Sequence, residues 1–421
     1  MARGKTIAGI DIGSAKIATI IAQAQDEQNL VKVLGVASVP SQGVRRGQIV
    51  DIEETASSVI VSVEKAERMA GFAVDRVVAV INGGHISCQN SHGVVAVSSP
   101  EGEIDASDVE RVIDAARAIS LPASREIIHV IPSEFIVDGE SGVKDPVGMS
   151  GVRLEVETHL VTASSTALKN LGKCIGDVGA HMESVIFSGL SSAQAVLSDT
   201  ERELGVVLID FGAGTTSVAV FVEGALVHSR ILPIGAKNIT NDMAIGLRTS
   251  LESAEKIKVA LSDGKSPSEE LDLASLGVND GQRSVAKKTL IEGIMKPRLN
   301  EIFTMVGMEI KSAGLGGRTP AGVVLTGGGS LSAGAGESAK RMLALPVRIG
   351  VPTGITGLID DVSAPPFAAT VGAVLWAAKT QKPGPSLRLG TFARTLEGTF
   401  GNIRVKGIIG RVVEVVKGLL P

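Results

Sequence analysis

The pattern that most constrains this chain occurs twice. TIAGIDIGSAKIATIIA (6–22) is followed by LVKVLGVASV (30–39), and about two hundred residues later GVVLIDFGAGTTSVAVFV (205–222) is followed by ALVHSRILPIG (225–235). Each copy reads as an apolar strand closing on Ile-Asp, a glycine turn, an alternating strand, and a third strand that begins near Leu-Val. One such hairpin says little. The same order twice predicts two related halves, each built on its own sheet. A chain of 421 residues has room for them, as two domains or several subdomains.

The turns carry a definite chemistry. A strand that ends in Asp and bends through Gly13 or Gly212 leaves successive backbone N–H groups pointing into a concavity that suits an anion. Ser14, Gly214, Thr215 and Thr216 add close backbone approach and hydroxyl donors, while Asp11 and Asp210 can hold Mg2+ through water. Two such turns facing each other across a cleft would grip a polyphosphate and its metal from both sides. Lys16 lies just beyond the first turn, either to pair a phosphate or to lie in solvent. A third element, AGVVLTGGGSLSAGAGESAKRMLALPVRIG, predicts a strand, a turn at Gly327, Gly328 and Gly329, a helix from about Ala335 and a short strand. Such a turn without side chains admits a flat ring such as adenine.

Composition removes other classes. A net charge of −4, a pI near 6.0 and 2% aromatic residues give no footprint for nucleic acid. The two cysteines, Cys88 and Cys174, lack ligand spacing and suit reduced thiols, and His85 and His92 flank Cys88 without a zinc pattern. The N-terminus runs into a strand pattern at once, and no apolar run is long enough to span a membrane, so a cytosolic chain is expected unless something tethers it.

The three motifs in this order resemble the phosphate 1, phosphate 2 and adenosine motifs of the actin, heat-shock chaperone and sugar-kinase superfamily. That implies an α/β, actin-like (ribonuclease H-like) two-domain fold with a central nucleotide cleft that binds ATP and Mg2+. SSAQAVLSDTERELG resembles the first connecting helix, in which Gln194 would help place the attacking water together with Asp210. LESAEKIKVALSDG resembles the helix whose Glu and Lys contact the ribose, here Glu255 and Lys258. FAATVGAVLWAAK resembles the second connecting helix, with Ala369 and Gly372 at its packing positions.

Within that superfamily, SQGVRRGQIVDIEETASSVIVSVEKAERMAG, SCQNSHGVVAVSS, DPVGMSGVRLEVETHLVTA, NDMAIGLRTSLESAEKIK and GVPTGITGLIDD are together similar to the bacterial cell-division FtsA family. The resemblance implies subdomain 1A over 1–81 and 162–189, subdomain 1C (SHS2-like) over 82–161, 2A over 190–249 and 317–378, and 2B over 250–316. The 1C helix ASDVERVIDAARAI places Val109, Val112, Ile113 and Ala116 at helical spacing, with Ser107 as its expected cap. The resemblance further implies that 2B docks the C-terminal tail of the tubulin-like protein FtsZ, with Arg298 and Glu301 as contacts, and that copies of the chain join into actin-like filaments. Later division proteins are implied as additional partners, and ATPase activity as weak at most.

After a linker expected over 379–402, rich in Pro, Gly, Thr and charge, the chain ends in GNIRVKGIIGRVVEVVKGLLP. At about 100° per residue, Val405, Ile408, Ile409, Val412, Val413, Val415, Val416, Leu419 and Leu420 fall within roughly 160° of a helical wheel. Lys406, Arg411 and Lys417 lie on the remainder, against the single Glu414. A basic amphipathic helix over 403–421 suits the plane of an anionic membrane. Its glycines and β-branched residues form helices poorly unaided, so it folds when it meets a surface. The family's membrane-targeting helix agrees, and implies a peripheral protein at the cytoplasmic face of the inner membrane, at the septum. The competing reading is a PilM-like ATPase of type IV pilus assembly.

Overall fold

A computed structural model describes residues 6–25, 30–99, 101–263, 269–278 and 284–380. Two sheets dominate. The first runs His181–Phe187, Arg76–Ile81, Thr6–Ile12, Lys16–Gln25, Leu30–Pro40, Ile355–Gly357; the second runs Ala225–Leu232, Thr216–Val222, Val206–Phe211, Val323–Thr326, Val347–Ile349.

The duplication is preserved down to the hydrogen-bond register. Asp11 stands opposite Ala18 on the antiparallel side and Val80 on the parallel side, as Asp210 stands opposite Ser217 and Thr326. Both second strands slip register against the third, between Ile21 and Ala22 in one lobe and between Val220 and Phe221 in the other. Strands such as Val206–Phe211 are apolar on both faces because helices cover both, leaving Asp210 as the residue short of full burial near the strand's end.

Packing explains several glycines. The helix Ile52–Ala70, capped by Asp51 and closed by Gly71 at φ 82°, lies so close to the third strand that a Cβ on Gly35 would sit 2.3 Å from the Ala66 carbonyl oxygen. Two helices link the lobes, Ser188–Val196 and Ala368–Thr380. At their crossing a Cβ on Gly372 would fall 1.7 Å from the Ser191 carbonyl oxygen, and the Ser191 hydroxyl donates to the Ala369 carbonyl at 2.6 Å. Lys379 belongs to the second helix, so the expected linker boundary is corrected beyond Thr380.

A third sheet, Ser87–Ala96, Arg153–Ser164, Arg125–Val137 and Glu140–Val143, carries the helix Ala106–Arg117 over its own small core of Ile104, Val109, Val112, Phe135, Leu154 and Val156. The cap of that helix is Asp105, not Ser107. Asp105 accepts the Asp108 N–H, the Asp108 carboxylate returns to the Asp105 N–H, and Ser107 donates to Asp105. In the second lobe Ile291–Met295 is a wider turn and Lys296–Ser312 a regular helix, the change falling beside Pro297, which has no N–H to give.

Candidate functional site

The two Asp-Gly turns have one geometry. Gly13 N–H donates to the Lys16 carbonyl at 3.0 Å and Gly212 N–H to the Thr215 carbonyl at 2.9 Å. They meet face to face: a Cβ on Gly214 would lie 2.6 Å from Ser14 Oγ. Ser14 Oγ accepts the Gly47 N–H at 2.8 Å, and Thr215 Oγ1 accepts from Asn82 Nδ2 at 2.9 Å, which leaves each hydroxyl hydrogen free to be offered. Thr216 differs from expectation. Its fully buried hydroxyl donates to the Ile234 carbonyl at 2.8 Å and braces the turn from behind.

Asp11 and Asp210 end equivalent strands and face each other. Burial, then the charge of Asp210, lifts the Asp11 carboxyl to about 7, with Lys16 pulling the other way. Asp210 is raised as well, chiefly by burial, against a 2.6 Å hydrogen bond from Ser192 and the charge of Lys16. Lys16 itself is lowered to about 8 by burial, opposed by both carboxylates, and its Nζ stands 3.5 Å from the centroid of the Phe367 ring. Lys16 is thus a cleft residue.

The glycine turn completes the back wall. A Cβ on Gly327, which has φ 82°, would strike Asp210 Oδ1 at 2.4 Å, and one on Gly329 would strike the Phe211 ring at 2.6 Å. Gly328 is exposed, and a Cβ on it would meet the Pro366 ring only at 4.0 Å. In the same lobe Lys258 Nζ bonds Glu255 Oε2 at 2.7 Å and Thr240 Oγ1 at 3.0 Å. Lys237, from the helix Ala236–Leu247, spans the lobes by donating to the Ser14 carbonyl.

Two expected residues stand elsewhere. Gln194 Oε1 accepts from Lys379 Nζ at 3.0 Å, on the flank of the connecting helix turned away from Asp210, so the structure corrects its expected place beside the water. That helix begins at Ser188, which puts Ser192 rather than Gln194 on the cleft side. Arg298 is also committed: its Nη2 bonds Asp242 Oδ1 at 2.8 Å, its Nε bonds Asp242 Oδ2, and its Nη1 bonds Glu301. The guanidinium expected to meet a partner instead ties two helices together, while Glu301 stays half exposed. Of the residues weighed as ligands, His92 goes to Glu155 at 3.0 Å and Cys88 to Ser229 at 2.9 Å, while both ring nitrogens of His85 are buried without a hydrogen-bond partner among the described residues. The expected membrane residues of 403–421 lie outside the described residues.

Sequence reasoning missed Ser192, Lys237 and Asn82. Ser192 left little signal, being one of three serines buried in the helix Ser188–Val196.

Among solved structures, the chain is similar to PilM in a PilM–PilN type IV pilus biogenesis complex (TM-score 0.64, 15% identity, 88% of this chain and 98% of that one). It is similar also to MreB5 of Spiroplasma citri bound to ADP (TM-score 0.53, 13% identity, 90% and 99%). At such identities these likenesses establish the actin-like fold. Sequence relatives are nearer. The cell division protein FtsA of Pseudomonas aeruginosa is 38% identical over 388 residues, covering 91% of this chain and 92% of that protein. Its Bacillus subtilis counterpart is 38% identical (89% and 83%), and that of Escherichia coli K12 35% identical (90% and 92%). Residues 83–162 match the model described as the SHS2 domain inserted in FTSA, and residues 207–372 the one described as cell division protein FtsA. With both models matched in order and full-length relatives above a third identical, this chain belongs to the FtsA family of cell division proteins.

Proposed function

We propose that this chain binds ATP with Mg2+ in the cleft between its two Asp-Gly turns and serves division as an adaptor between the FtsZ ring and the cytoplasmic membrane. The observation that carries the nucleotide reading is the Asp11–Asp210 pair: two carboxyls that resist ionisation together, beneath two turns of backbone N–H donors. Their chemistry fits a divalent cation, which would let both ionise and would neutralise phosphate charge. The exposed Gly328 is the proposed neighbour of the base, and Glu255 and Lys258, bonded to each other, are the proposed ribose contacts.

With Gln194 turned away, we assign the nucleotide chiefly to holding the lobes closed, with weak turnover at most. Titration with a fluorescent ATP analogue tests the site. The full chain should bind it in a Mg2+-dependent way and the Asp11→Ala variant should lose that dependence; Mg2+-independent binding by both would refute the assignment.

The adaptor reading rests on family membership and on the amphipathic pattern of 403–421. Among the described residues no helix is long and apolar enough to cross a membrane. The reading is of peripheral attachment at the septum, by valines and leucines sunk beneath Lys406, Arg411 and Lys417 in anionic lipid. One copy lacks an aromatic anchor and would bind weakly, so filaments of many copies would hold durably. Full-length chain should sediment with anionic liposomes and a chain truncated after Thr399 should not; equal pelleting refutes the tether. For the FtsZ tail, and for later division proteins that follow it, the helix Lys296–Ser312 is the proposed docking element. Glu301→Lys probes it better than a change at Arg298, whose loss would also strand Asp242.

A further inference from the structure

The hairpin Val44–Arg45/Gln48–Ile49 turns through two residues with positive φ, Arg46 at 49° and Gly47 at 73°. That is the backbone of a tight two-residue turn, where Asn-Gly is the favoured pair and an arginine in the first place is held at a cost. The turn is held by what it touches. Gly47 N–H donates to Ser14 Oγ at 2.8 Å, a Cβ on Gly47 would meet the Gly83 backbone at 2.8 Å, and a Cβ on Gly214 would lie 3.0 Å from Arg46 Cα. The tip is therefore wedged against both Asp-Gly turns and against the residue next to Asn82, which itself holds Thr215.

The two side chains at this tip have no such commitment. Arg45 and Arg46 are exposed, and neither makes an ion pair with a carboxylate among the described residues. Arg45 lies near enough to Lys237 that burial, Lys258 and Arg45 together hold that ammonium below its usual range, against the pull of Glu255. Arg45, Lys237 and Lys16 thus add positive charge to a cleft whose nearby acids are Asp11, Asp210 and Glu255, and Arg46 stands at the tip whose backbone abuts Gly214. An unpaired arginine beside anion-binding turns is suited to phosphate, because its planar fork stays charged and donates two parallel hydrogen bonds.

We infer that Arg45 and Arg46 form a cationic lid on the cleft that reads the terminal phosphate of the bound nucleotide, so that the site discriminates a triphosphate from a diphosphate. The inference rests on the nucleotide reading above and adds a specificity element that the three glycine-rich turns do not supply.

The test is titration of the full chain with fluorescent ATP and ADP analogues in Mg2+, for wild type, Arg45→Ala/Arg46→Ala and Arg46→Gly. The glycine variant relieves the strained turn, so it should unfold at no lower urea concentration than wild type, and any loss of binding in it is not a folding defect. The lid predicts that the double variant weakens ATP about ten- to hundredfold and ADP by less than about threefold, with Arg46→Gly following in the same direction. Equal losses for the two nucleotides, or no loss for either, overturn the lid and leave the nucleotide reading intact. A wild-type chain that binds neither overturns that reading, and the lid with it.

Discussion

The Asp11 carboxyl offers the sharpest quantitative test. Its value rises from 3.8 to about 7, because burial and the facing Asp210 both penalise its charge. A group whose folded value exceeds its unfolded one takes up a proton on folding. Its contribution to stability is fully present below about 3.8 and is lost as pH rises through about 7. At about 1.36 kcal/mol per unit, the ionised carboxyl costs the nucleotide-free protein about 4 kcal/mol at pH 8, and about 1.5 kcal/mol at pH 5. Asp11→Asn removes the penalty while keeping size. Part is given back, because Lys16, already lowered to about 8, loses a counter-charge. The expected net gain is about 2–3 kcal/mol at pH 8 and falls to about 1.5 kcal/mol at pH 5, where the protonated Asp11 is no counter-charge for Lys16 to lose. Urea unfolding in EDTA, without nucleotide, at the two pH values measures it. Mg2+ with ATP should then stabilise wild type and not the variant, since only wild type has both carboxylates to offer. An Asn variant no more stable than wild type at pH 8, or one whose advantage is the same at pH 5, would refute the claim that these carboxyls are electrostatically frustrated.

Other substitutions probe separate parts. Ser192→Ala removes the hydroxyl that steadies the Asp210 carboxylate and should weaken Mg2+-dependent ATP binding by about threefold to thirtyfold, read by the same fluorescence titration, with little change in unfolding. Gly372→Val forces a side chain into the backbone of the first connecting helix and should cost at least about 3 kcal/mol, seen as a lowered urea midpoint for the whole described unit. His159 is buried between the SHS2 sheet and the second lobe, with Nδ1 2.7 Å from Asn90 Oδ1 and Nε2 2.7 Å from Ser229 Oγ. His159→Leu removes both bonds, leaving Ser229 its bond to Cys88 and Asn90 in water, and should destabilise by about 1–2 kcal/mol, with faster proteolysis of the 83–162 insert as the readout.

The features readable in the sequence were the local ones. An apolar strand, an Asp and a glycine turn lie within a dozen residues of one another, so Asp11, Gly13, Asp210 and Gly212 announce themselves twice in the chain order. Gln194 shows where this ends. Its place in a stretch resembling the first connecting helix suggested the cleft, but only the folded helix from Ser188 shows which flank faces inward. The Asp105 cap displaced Ser107 for a similar reason, since two carboxylates can satisfy both terminal N–H groups where one hydroxyl satisfies fewer. For Arg298 the neighbour Glu301 was visible at helical spacing, whereas Asp242 arrives from another helix. Lys237 and Arg46 gain their roles only once the lobes are brought together, so no local pattern marks them.

The crossing of Gly372 over Ser191 gives the molecule a fulcrum. Backbone lies against backbone there, with no long side chains interlocked, so the contact resists separation while presenting a smooth bearing to rotation. The second connecting helix begins directly after Pro365–Phe367, the turn that places Phe367 under Lys16 and the Pro365 carbonyl on Gly327 N–H. A ligand that shifts these cleft residues therefore pushes on the short arm of a lever. The SHS2 insert is pinned to the second lobe by His159 and Cys88 on Ser229, so a rotation about the fulcrum would load those contacts first.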